Sequence, residues 1–251
     1  MTVTGRMRAL IVQRVHSGFL RHGIAVQRAR NDIATTINLI GVSAVIDGGA
    51  NVGQFAAGLR KAGYGGKIIS CEPSTAAFCE LDEASRGDEA WTPLRVALGD
   101  QPGYIDFNVS GDLVSSSILS RTDELMETFP KSGTSHAEQV RITTVDRIVA
   151  DHALNPRNTA LKLDVQGFES VVLDGATDSL GLFPLVTLEM CFVELYRSQA
   201  LWPDLYQRMI SAGFSLWNVT PGWVDAATGR TCWCDGVFVR PEATGGRINR
   251  R

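Results

Sequence analysis

Short runs of Val, Ile and Leu alternate along this chain with segments of helical pattern, and this alternation restricts the fold more than any other feature. The runs after residue 43 lie at 44–47, 67–71, 92–98, 104–109, 160–165, 185–190, 214–219 and 236–240. Short continuous apolar runs are typical of strands that are buried on both faces. Strands that alternate with helices predict βαβ units, so we expect an α/β fold with a doubly wound, mostly parallel sheet.

The segments between the runs indicate the helices and the limits of the domain. Helical patterns cover residues 53–62, 74–84, 167–173 and 202–212. No helical pattern separates the last two runs, so we expect them to form an antiparallel pair at the C-terminal edge of the sheet. The prediction is a helical extension at 1–42, one domain at 43–240 and a disordered tail at 241–251.

Residues 110–140 fit neither pattern. The segment is rich in Ser, Thr and Gly, and long segments without secondary structure inside a domain are commonly functional loops or disordered. If residues 104–109 form a strand, this segment reaches toward the ligand-binding edge of the sheet. We therefore expect either a polar lid or a disordered loop here.

Composition argues against several classes of protein. The chain has 251 residues, 20% of them charged, and a net charge of −3, which argues against a protein that coats nucleic acid. Its five cysteines lack the spacing of a zinc site and fit reduced thiols of a cytoplasmic protein. The sequence contains no apolar run as long as the roughly 18 residues of a transmembrane helix, so we expect none.

The N-terminal segment carries basic residues on amphipathic helical patterns. The arginines concerned are Arg6, Arg8, Arg14, Arg21, Arg28 and Arg30. Such a basic face is either solvated or in contact with a membrane surface. Two other roles of this segment stay open: it could form the contact between two copies in a homodimer, or it could cover a ligand-binding site of the domain.

A cluster of small residues follows the first apolar run directly. Asp47 ends this run, and Gly48, Gly49, Asn51 and Gly53 precede a helical pattern. Small residues permit a ligand to approach the backbone, and the N-terminus of a helix presents free N–H donors. Ligands of doubly wound sheets bind at the carboxyl ends of the strands, so we expect a ligand on this loop.

The spacing of these residues excludes two nucleotide motifs. The dinucleotide pattern G-x-G-x-x-G requires glycine where Ala50 or Asn51 stands, and the Gly-Lys-Ser/Thr of a phosphate loop is absent. The series Asp47, Gly49, Asn51, Gly53 resembles the first motif of the class I S-adenosylmethionine-dependent methyltransferases. The resemblance implies that the methionine part of this donor lies on the loop, with the Asp47 carboxylate at its ammonium group.

Two later strand ends suit the remaining parts of such a donor. Glu72 follows Gly53 by 19 residues, close to the spacing at which an acidic residue binds ribose hydroxyls. A carboxylate can accept hydrogen bonds from both hydroxyls. The third strand is expected to end near Ala97 and Leu98, which offer backbone and apolar contact to an adenine ring.

The later motifs narrow the resemblance to one family. The series DGGANVGQF, CEPS, VALGD, KLDVQGFE, VLDGA and LEM, over about residues 43–240, is similar to the FkbM family of methyltransferases. The resemblance implies a Rossmann-like, seven-stranded sheet and O-methylation of sugars, such as deoxyhexoses of glycolipids and other glycoconjugates. The family usually has Glu where Gln166 stands, which argues against acid–base chemistry at this position.

Three residues are candidates for catalysis. Asp164 ends the fourth strand of this series and is expected beside the methyl group, while Glu189 ends the fifth strand and can face the same cleft. His136 is either an exposed loop histidine or the base that accepts the hydroxyl proton. Lys162 lies two residues before Asp164, so the two side chains share a face and can pair. Asp164 and Glu189 are also candidate ligands for Mg²⁺, which can acidify a bound hydroxyl.

The acceptor is the least defined partner. Ser116 and Ser117 match a serine-rich stretch of the family, which implies hydrogen bonds to sugar hydroxyls, and a flexible loop is the alternative. Sugar rings can stack on aromatic residues that otherwise pack in the protein: Tyr196, Trp202, Trp217, Trp223 and Trp233. Two other functions stay open, namely methyl transfer to a non-sugar molecule and donor binding without catalysis.

Overall fold

The computed structural model describes residues 32–112, 114–129, 132–225 and 228–245. The basic face lies outside these residues, as does most of the predicted extension. Of that extension, the structure describes one helix, α1 (Asp32–Ile40). The described residues from Ile33 onward belong to one unit.

Seven strands form the main sheet. From one edge to the other they are β3 (Trp91–Leu94), β2 (Lys67–Cys71), β1 (Ala44–Gly48), β7 (Thr159–Leu163), β8 (Leu185–Cys191), β10 (Trp233–Val239) and β9 (Ser215–Pro221). Neighbours from β3 to β8 are parallel, and β10 is antiparallel to both β8 and β9. The predicted seven-stranded, mostly parallel sheet with an antiparallel C-terminal pair is therefore confirmed. The antiparallel strand itself is the second from the edge, because β9 lies outside it.

Both faces of this sheet are buried. Val45 and Ile68 belong to one hydrophobic core, whereas the next residues along the same strands, Ile46 and Ile69, belong to another. Successive strand residues point to opposite faces, so apolar runs without alternation are what a sheet covered on both sides requires. The helices after α1 are α2 (Gln54–Lys61), α3 (Thr75–Ser85), α4 (Asp123–Thr128), α5 (Val145–Asp151), α6 (Glu169–Asp174) and α7 (Trp202–Ser211).

A second sheet of three strands departs from the predictions. Its order is β4 (Ala97–Leu98), β6 (Thr134–Thr143) and β5 (Gly103–Ser110). The run at 92–98 is therefore two strands in two different sheets. The prediction of a loop throughout 110–140 is also wrong, because this segment contains α4 and the first part of β6. Most side chains at 134–139 are exposed, so their polar sequence carries no apolar strand pattern.

The C-terminal tail differs from its prediction, and the cysteines are reduced as predicted. Residues 241–245, predicted as part of a disordered tail, instead contain a 3₁₀ helix (Pro241–Thr244) with Thr244 buried. The remaining tail residues lie outside the described part of the chain. All five cysteines are free thiols, and Cys79 is the exposed one. Within the ranges given above, we find no helix that is long and apolar enough to cross a membrane.

Candidate functional site

The carboxyl ends of four parallel strands meet at one edge of the main sheet. Gly48 at the end of β1 is in register with Cys71 of β2 and Leu163 of β7, and Leu163 is in register with Leu188 of β8. The loops that follow these strands therefore converge. This is the edge at which doubly wound sheets bind ligands.

The glycine loop after β1 is shaped by contacts within the protein itself. Gly49 has a φ of +71°, and a Cβ built on it would lie 1.8 Å from the carbonyl oxygen of Asp164. Asn51 and Gly53 also have positive φ, of 49° and 87°. A Cβ on Gly53 would lie 2.9 Å from the Trp91 ring. Side chains are excluded here because the chain that follows β7, and Trp91, already occupy the space.

Asp47 takes part in a buried ion pair. Its side chain is fully buried, Lys162 Nζ lies 3.1 Å from Oδ1, and the Ser70 hydroxyl donates to Oδ2 over 3.2 Å. The same ammonium group donates to the carbonyl oxygen of Gly49 over 2.8 Å. Direct contact between Asp47 and the ammonium group of a ligand, as expected from the sequence, does not fit this burial. Asp47 instead positions Lys162, which holds the glycine loop.

Glu72 supports the other side of the same loop. Its Oε2 accepts a hydrogen bond of 2.8 Å from the backbone N–H of Asn51, and its Oε1 accepts one of 2.9 Å from that of Ser74. The side chain is 5% exposed, and burial raises its pKa to about 7 against the effect of these hydrogen bonds. The carboxylate also lines a cavity, where its remaining lone pairs can accept from a ligand.

That cavity has a volume of about 630 Å³, open mouth included. It brings together most of the residues predicted to bind a donor. On its walls lie the loop and strand ends on one side and the second sheet on the other: Gly49, Asn51, Gln54, Cys71, Glu72, Pro73, Val96, Ala97, Leu98, Phe107, Val114, Ser116, Ile118, Asp164, Val165 and Gln166. Asp47, Gly48 and Gly53 are behind the lining rather than in it. We call this space the first cavity.

Asp164 is held by donors on two sides. Gln166 Nε2 donates to its Oδ1 over 2.7 Å, and Lys162 Nζ lies 3.6 Å from its Oδ2. The pairing of Lys162 with Asp164 was expected from their spacing. The amide of Gln166 is oriented in turn by the hydroxyl of Tyr196, which donates to Oε1 over 2.7 Å. Gln166 thus orients Asp164 and carries no acid–base group of its own.

The turn after Asp164 depends on a residue that the sequence analysis missed. Gln166 and Gly167 have positive φ, of 56° and 93°. Glu169 is 3% exposed, and its Oε1 accepts from the backbone N–H of Val165 over 2.9 Å. Burial raises the pKa of Glu169 to about 7. The sequence does contain a signal of such a turn, because Glu169 stands four positions after Val165, the first N–H donor.

A second cavity of about 970 Å³ adjoins the first. Val114, Asp164 and Gln166 line both cavities, so the two spaces meet at Asp164. The other residues on the walls of the second cavity come from β8, β10, the helix α4 and the segments that follow β5, α4, β8 and β9: Asp112, Ser115, Leu125, Phe129, Glu189, Leu195, Tyr196, Trp223, Trp233 and Asp235.

The second cavity contains two neighbouring carboxylates on adjacent strands. Glu189 of β8 is directly opposite Asp235 of β10. Glu189 is 8% exposed, and burial, followed by the negative charge of Asp164, raises its pKa well above the usual value of 4.5. The same two causes raise the pKa of Asp235 to about 6. Asp235 was not predicted, because nothing in the sequence pairs it with Glu189.

Aromatic rings form part of the wall of the second cavity, which we call the aromatic wall. Trp223 and Trp233 are stacked with their ring centroids 5.8 Å apart and an interplanar angle of 27°. Phe129 meets Trp223 edge-on, with centroids 4.9 Å apart. Two of the aromatic residues singled out in the sequence are thus in this wall, while Trp202 packs against Phe192 elsewhere.

The serine-rich segment is held in place rather than free. Ser116 lines the first cavity, and its hydroxyl accepts from the backbone N–H of Ser110 over 3.0 Å. Ser117 is fully buried and donates to the carbonyl oxygen of Gln166 over 2.7 Å. The buried Arg121 donates twice to the carbonyl oxygen of Ser115. Ser117 therefore supports the turn at Gln166 and lines neither cavity.

His136 is separate from the residues just described. It lies on β6, opposite Val109 of β5, and its side chain is exposed. Its imidazole contacts the Ser135 hydroxyl at 2.9 Å and the Glu138 carboxylate at 3.2 Å. His136 lines neither cavity, so it is not among the groups that meet Asp164.

The predicted magnesium site finds no support. Among the residues that the structure describes, no three His, Cys, Asp or Glu side chains are arranged to hold a metal ion. At Asp164 a metal ion would also meet the positive charge of Lys162, whose Nζ lies 3.6 Å from Oδ2. Glu189 is the other predicted ligand, and it remains available for chemistry without a metal.

Two solved structures of methyltransferases are similar to this chain. The chain is similar to magnesium protoporphyrin IX methyltransferase of Synechocystis PCC 6803, with 14% identity, 84% of this chain and 77% of that chain covered, and a TM-score of 0.46. It is also similar to 1,6-didemethyltoxoflavin-N1-methyltransferase of Burkholderia thailandensis, with 11% identity, 96% and 91% covered, and a TM-score of 0.42. These likenesses carry no argument about the acceptor.

Comparison with families is more decisive. No curated protein matches the sequence. The family model described as the methyltransferase FkbM domain matches residues 47–216, which is more than half of the chain and includes the glycine loop, Asp164 and Glu189. The protein therefore belongs to the FkbM family and is an S-adenosylmethionine-dependent methyltransferase.

Proposed function

We propose that the protein methylates a hydroxyl group of a sugar, such as a deoxyhexose of a glycolipid or of another glycoconjugate. The observation that carries this proposal is the junction of the two cavities at Asp164. One cavity has the lining expected of a donor site, and the other has carboxylates and aromatic rings. A methyl group can pass between two bound molecules only where their sites meet.

The first cavity fits S-adenosylmethionine by the chemistry of its walls. Glu72 offers carboxylate oxygens to ribose hydroxyls, and Ala97 and Leu98 offer an apolar surface to adenine. The backbone of Gly49 and Asn51 is free of bulky side chains where the methionine part is expected. Gly48, Gly53 and Asp47 support this loop from behind. When bound, the donor supplies an electrophilic methyl group.

The work left to the protein is therefore alignment and removal of a proton. Asp164 can accept a hydrogen bond from the acceptor hydroxyl at the junction and so aim the oxygen at the methyl group. Glu189, with a raised pKa and the same cavity beside it, is the proposed base. The oxygen–methyl bond forms as the bond from the methyl group to sulfur breaks, and the hydroxyl proton passes to Glu189.

The second cavity supports a sugar more than an apolar acceptor. Flat rings at Trp223, Trp233 and Phe129 suit the C–H faces of a sugar, and carboxylates at Glu189 and Asp235 accept from its hydroxyls. Ser116, on the wall of the adjoining cavity, is a further candidate for a hydrogen bond to the acceptor. A planar phenol would use the rings but leave the carboxylates without partners.

Methyl-labelled S-adenosylmethionine tests this proposal with the full chain. The acceptors are methyl glycosides of rhamnose and fucose, with catechol as a non-sugar comparison. We expect label in a sugar product and its loss by at least about 100-fold in Asp164→Asn. Asp178→Asn, an exposed aspartate outside both cavities, is the matched control.

Two results would overturn the proposal in different ways. Label in catechol alone would favour the non-sugar alternative. Binding of S-adenosylhomocysteine without turnover of any acceptor would favour a binding module without catalysis.

A further inference from the structure

The walls of the second cavity hold acidic side chains without basic ones among their described residues. Asp112, Asp164, Glu189 and Asp235 line it, and none of its described lining residues is Lys or Arg. An acidic group of this kind needs a partner, either from the protein or from a ligand. The contacts of each carboxylate show which of them lack one.

Two of the four carboxylates are occupied within the protein. Asp112 accepts from the Ser110 hydroxyl over 2.6 Å and from the backbone N–H of Ser115 over 3.0 Å. Asp164 has Gln166 and Lys162, as described above. These two groups have little need of a charged ligand.

Glu189 is different, because it is more than nine-tenths buried and faces the cavity without a conventional donor. Within the described residues, the one hydrogen bond to its carboxylate comes from the Cys191 thiol, 3.9 Å from Oε1. A thiol is a weak donor. Asp235 lies directly across the strand pair from Glu189, and two ionised carboxylates in that position destabilise a sheet. A positively charged ligand would remove this repulsion and favour the ionised form of both groups.

The aromatic wall strengthens the preference for a cation. Trp223, Trp233 and Phe129 line the same cavity as Glu189 and Asp235. The faces of aromatic rings attract ammonium groups, and Trp does so most strongly. Three separate features therefore favour a positively charged ligand: the buried carboxylate of Glu189, the carboxylate of Asp235 opposite it, and the tryptophan pair.

From this arrangement we infer that the acceptor carries an ammonium group, and that the sugar methylated at a hydroxyl is an amino sugar. The inference rests on the proposed function and adds the charge of the acceptor to it. The sulfonium and ammonium groups of the donor are a weaker explanation for the charge, because Glu189 and Asp235 line the second cavity and not the first.

Binding measurements on the full chain saturated with S-adenosylhomocysteine test the inference without relying on turnover. The probes are the methyl glycosides of glucosamine and galactosamine, each compared with its 2-acetamido and 2-hydroxy counterpart. Their binding is measured by the change in tryptophan fluorescence. We expect the amino member of a series to bind at least about tenfold tighter than its neutral counterparts. Asp235→Asn should weaken the binding of the amino members at least about tenfold more than that of the neutral members, whereas Asp178→Asn should alter neither.

The inference is wrong if the neutral members bind as tightly as the amino ones, if no amino member binds, or if Asp235→Asn weakens both series equally. The position of the methyl group in the product, determined by NMR, separates this inference from the function on which it rests. Methylation of nitrogen in an amino sugar would overturn the O-methylation proposal while the charge preference stands. O-methylation of neutral and amino sugars at equal rates would overturn the charge preference alone.

Discussion

The side-chain amide of Gln166 donates a hydrogen bond of 2.7 Å to the carboxylate of Asp164, at the point where the two cavities meet. The direction of the amide is fixed by Tyr196, whose hydroxyl donates to the other end of it. A neutral donor therefore faces Asp164 at this position. If Asp164 aligns the acceptor as proposed, a second negative charge at position 166 should disturb it.

Replacement of the amide by a carboxyl tests this expectation. In Gln166→Glu the introduced carboxyl would face Asp164, and the negative charge of Asp164 would raise its pKa. While protonated, the introduced group can donate as the amide does, so the kcat of the variant should approach that of the native enzyme at low pH. As pH rises through the raised pKa, two anions meet and the ratio of variant to native kcat should fall.

Gln166→Leu is the control for that experiment, because it removes the hydrogen bond without adding charge. Its kcat ratio should be low and independent of pH. A constant ratio for Gln166→Glu across pH 5 to 9 would contradict the proposed role of the amide.

Gly49 is required by the protein's own packing. In Gly49→Ala the new Cβ would meet the carbonyl oxygen of Asp164 at 1.8 Å, in addition to the cost of a positive φ. Gly41 has nearly the same φ, +73°, and a Cβ at that position would have no atom of the described residues within 4 Å. Urea unfolding should show a loss of about 1 kcal/mol for Gly41→Ala and a clearly larger loss for Gly49→Ala. Equal losses would show that the chain at Asp164 does not restrict the loop.

Lys162 compensates the buried charge of Asp47. Removal of one partner of a buried ion pair leaves an uncompensated charge, so Lys162→Met should lower the free energy of unfolding by about 3–5 kcal/mol. The double variant with Asp47→Asn should lose less than the sum of the two single variants, as measured in urea. Lys61→Met, at an exposed position on α2, is expected to be neutral, and additive single-variant losses would disprove the pairing.

Glu72 accepts from one backbone N–H group at each of its two oxygens, and an amide cannot replace it because one end of an amide is a donor. In Glu72→Gln, either Asn51 or Ser74 would find its N–H facing a donor. The affinity for S-adenosylhomocysteine should fall by about tenfold or more in calorimetry, since an unsatisfied buried group costs about 1–3 kcal/mol. Glu80→Gln, exposed on α3, should bind normally. Native affinity in Glu72→Gln would remove Glu72 from the donor site.

The proposed role of Glu189 as the base predicts how kcat depends on pH. A base must be ionised, so kcat should rise with pH through the pKa of Glu189. Burial and neighbouring negative charges raise that pKa, and the rise should therefore lie at higher pH than for an ordinary glutamate. Glu189→Gln should lower kcat about 100-fold and remove this limb of the profile, while Glu194→Gln, at an exposed position, should retain it. A pH profile unchanged in Glu189→Gln would assign the base elsewhere.

The main sheet was predictable because its strands are buried on both faces. Apolar runs without alternation, such as those that form β1 and β7, are typical of strands in a sheet covered on both sides. The positions of Asp47, Glu72, Asp164 and Glu189 followed from the strand ends. The glycine spacing excluded two nucleotide motifs but did not identify the ligand. The resemblance to a family then identified it as S-adenosylmethionine.

The second sheet and the contacts between loops were not predictable for a physical reason. The exposed first part of β6 has no apolar pattern to detect. Tyr196 meets Gln166 across 30 residues of sequence, and Lys67 of β2 donates to His152 across 85. Such partners are brought together by the topology, so sequence alone placed His136 in a loop near the site and gave no indication of Asp235.

Strand β10 enters the sheet against the direction of its neighbours, and its first residues are the ones that reach the binding edge. Trp233 and Asp235, together with Trp223 from the hairpin connection between β9 and β10, line the second cavity and not the first. Mutations in this hairpin can accumulate without disturbing how the methyl source is held. Relatives that share the same glycine loop can therefore diverge in what they modify, and exchanging this hairpin is the most direct route to redirecting the enzyme.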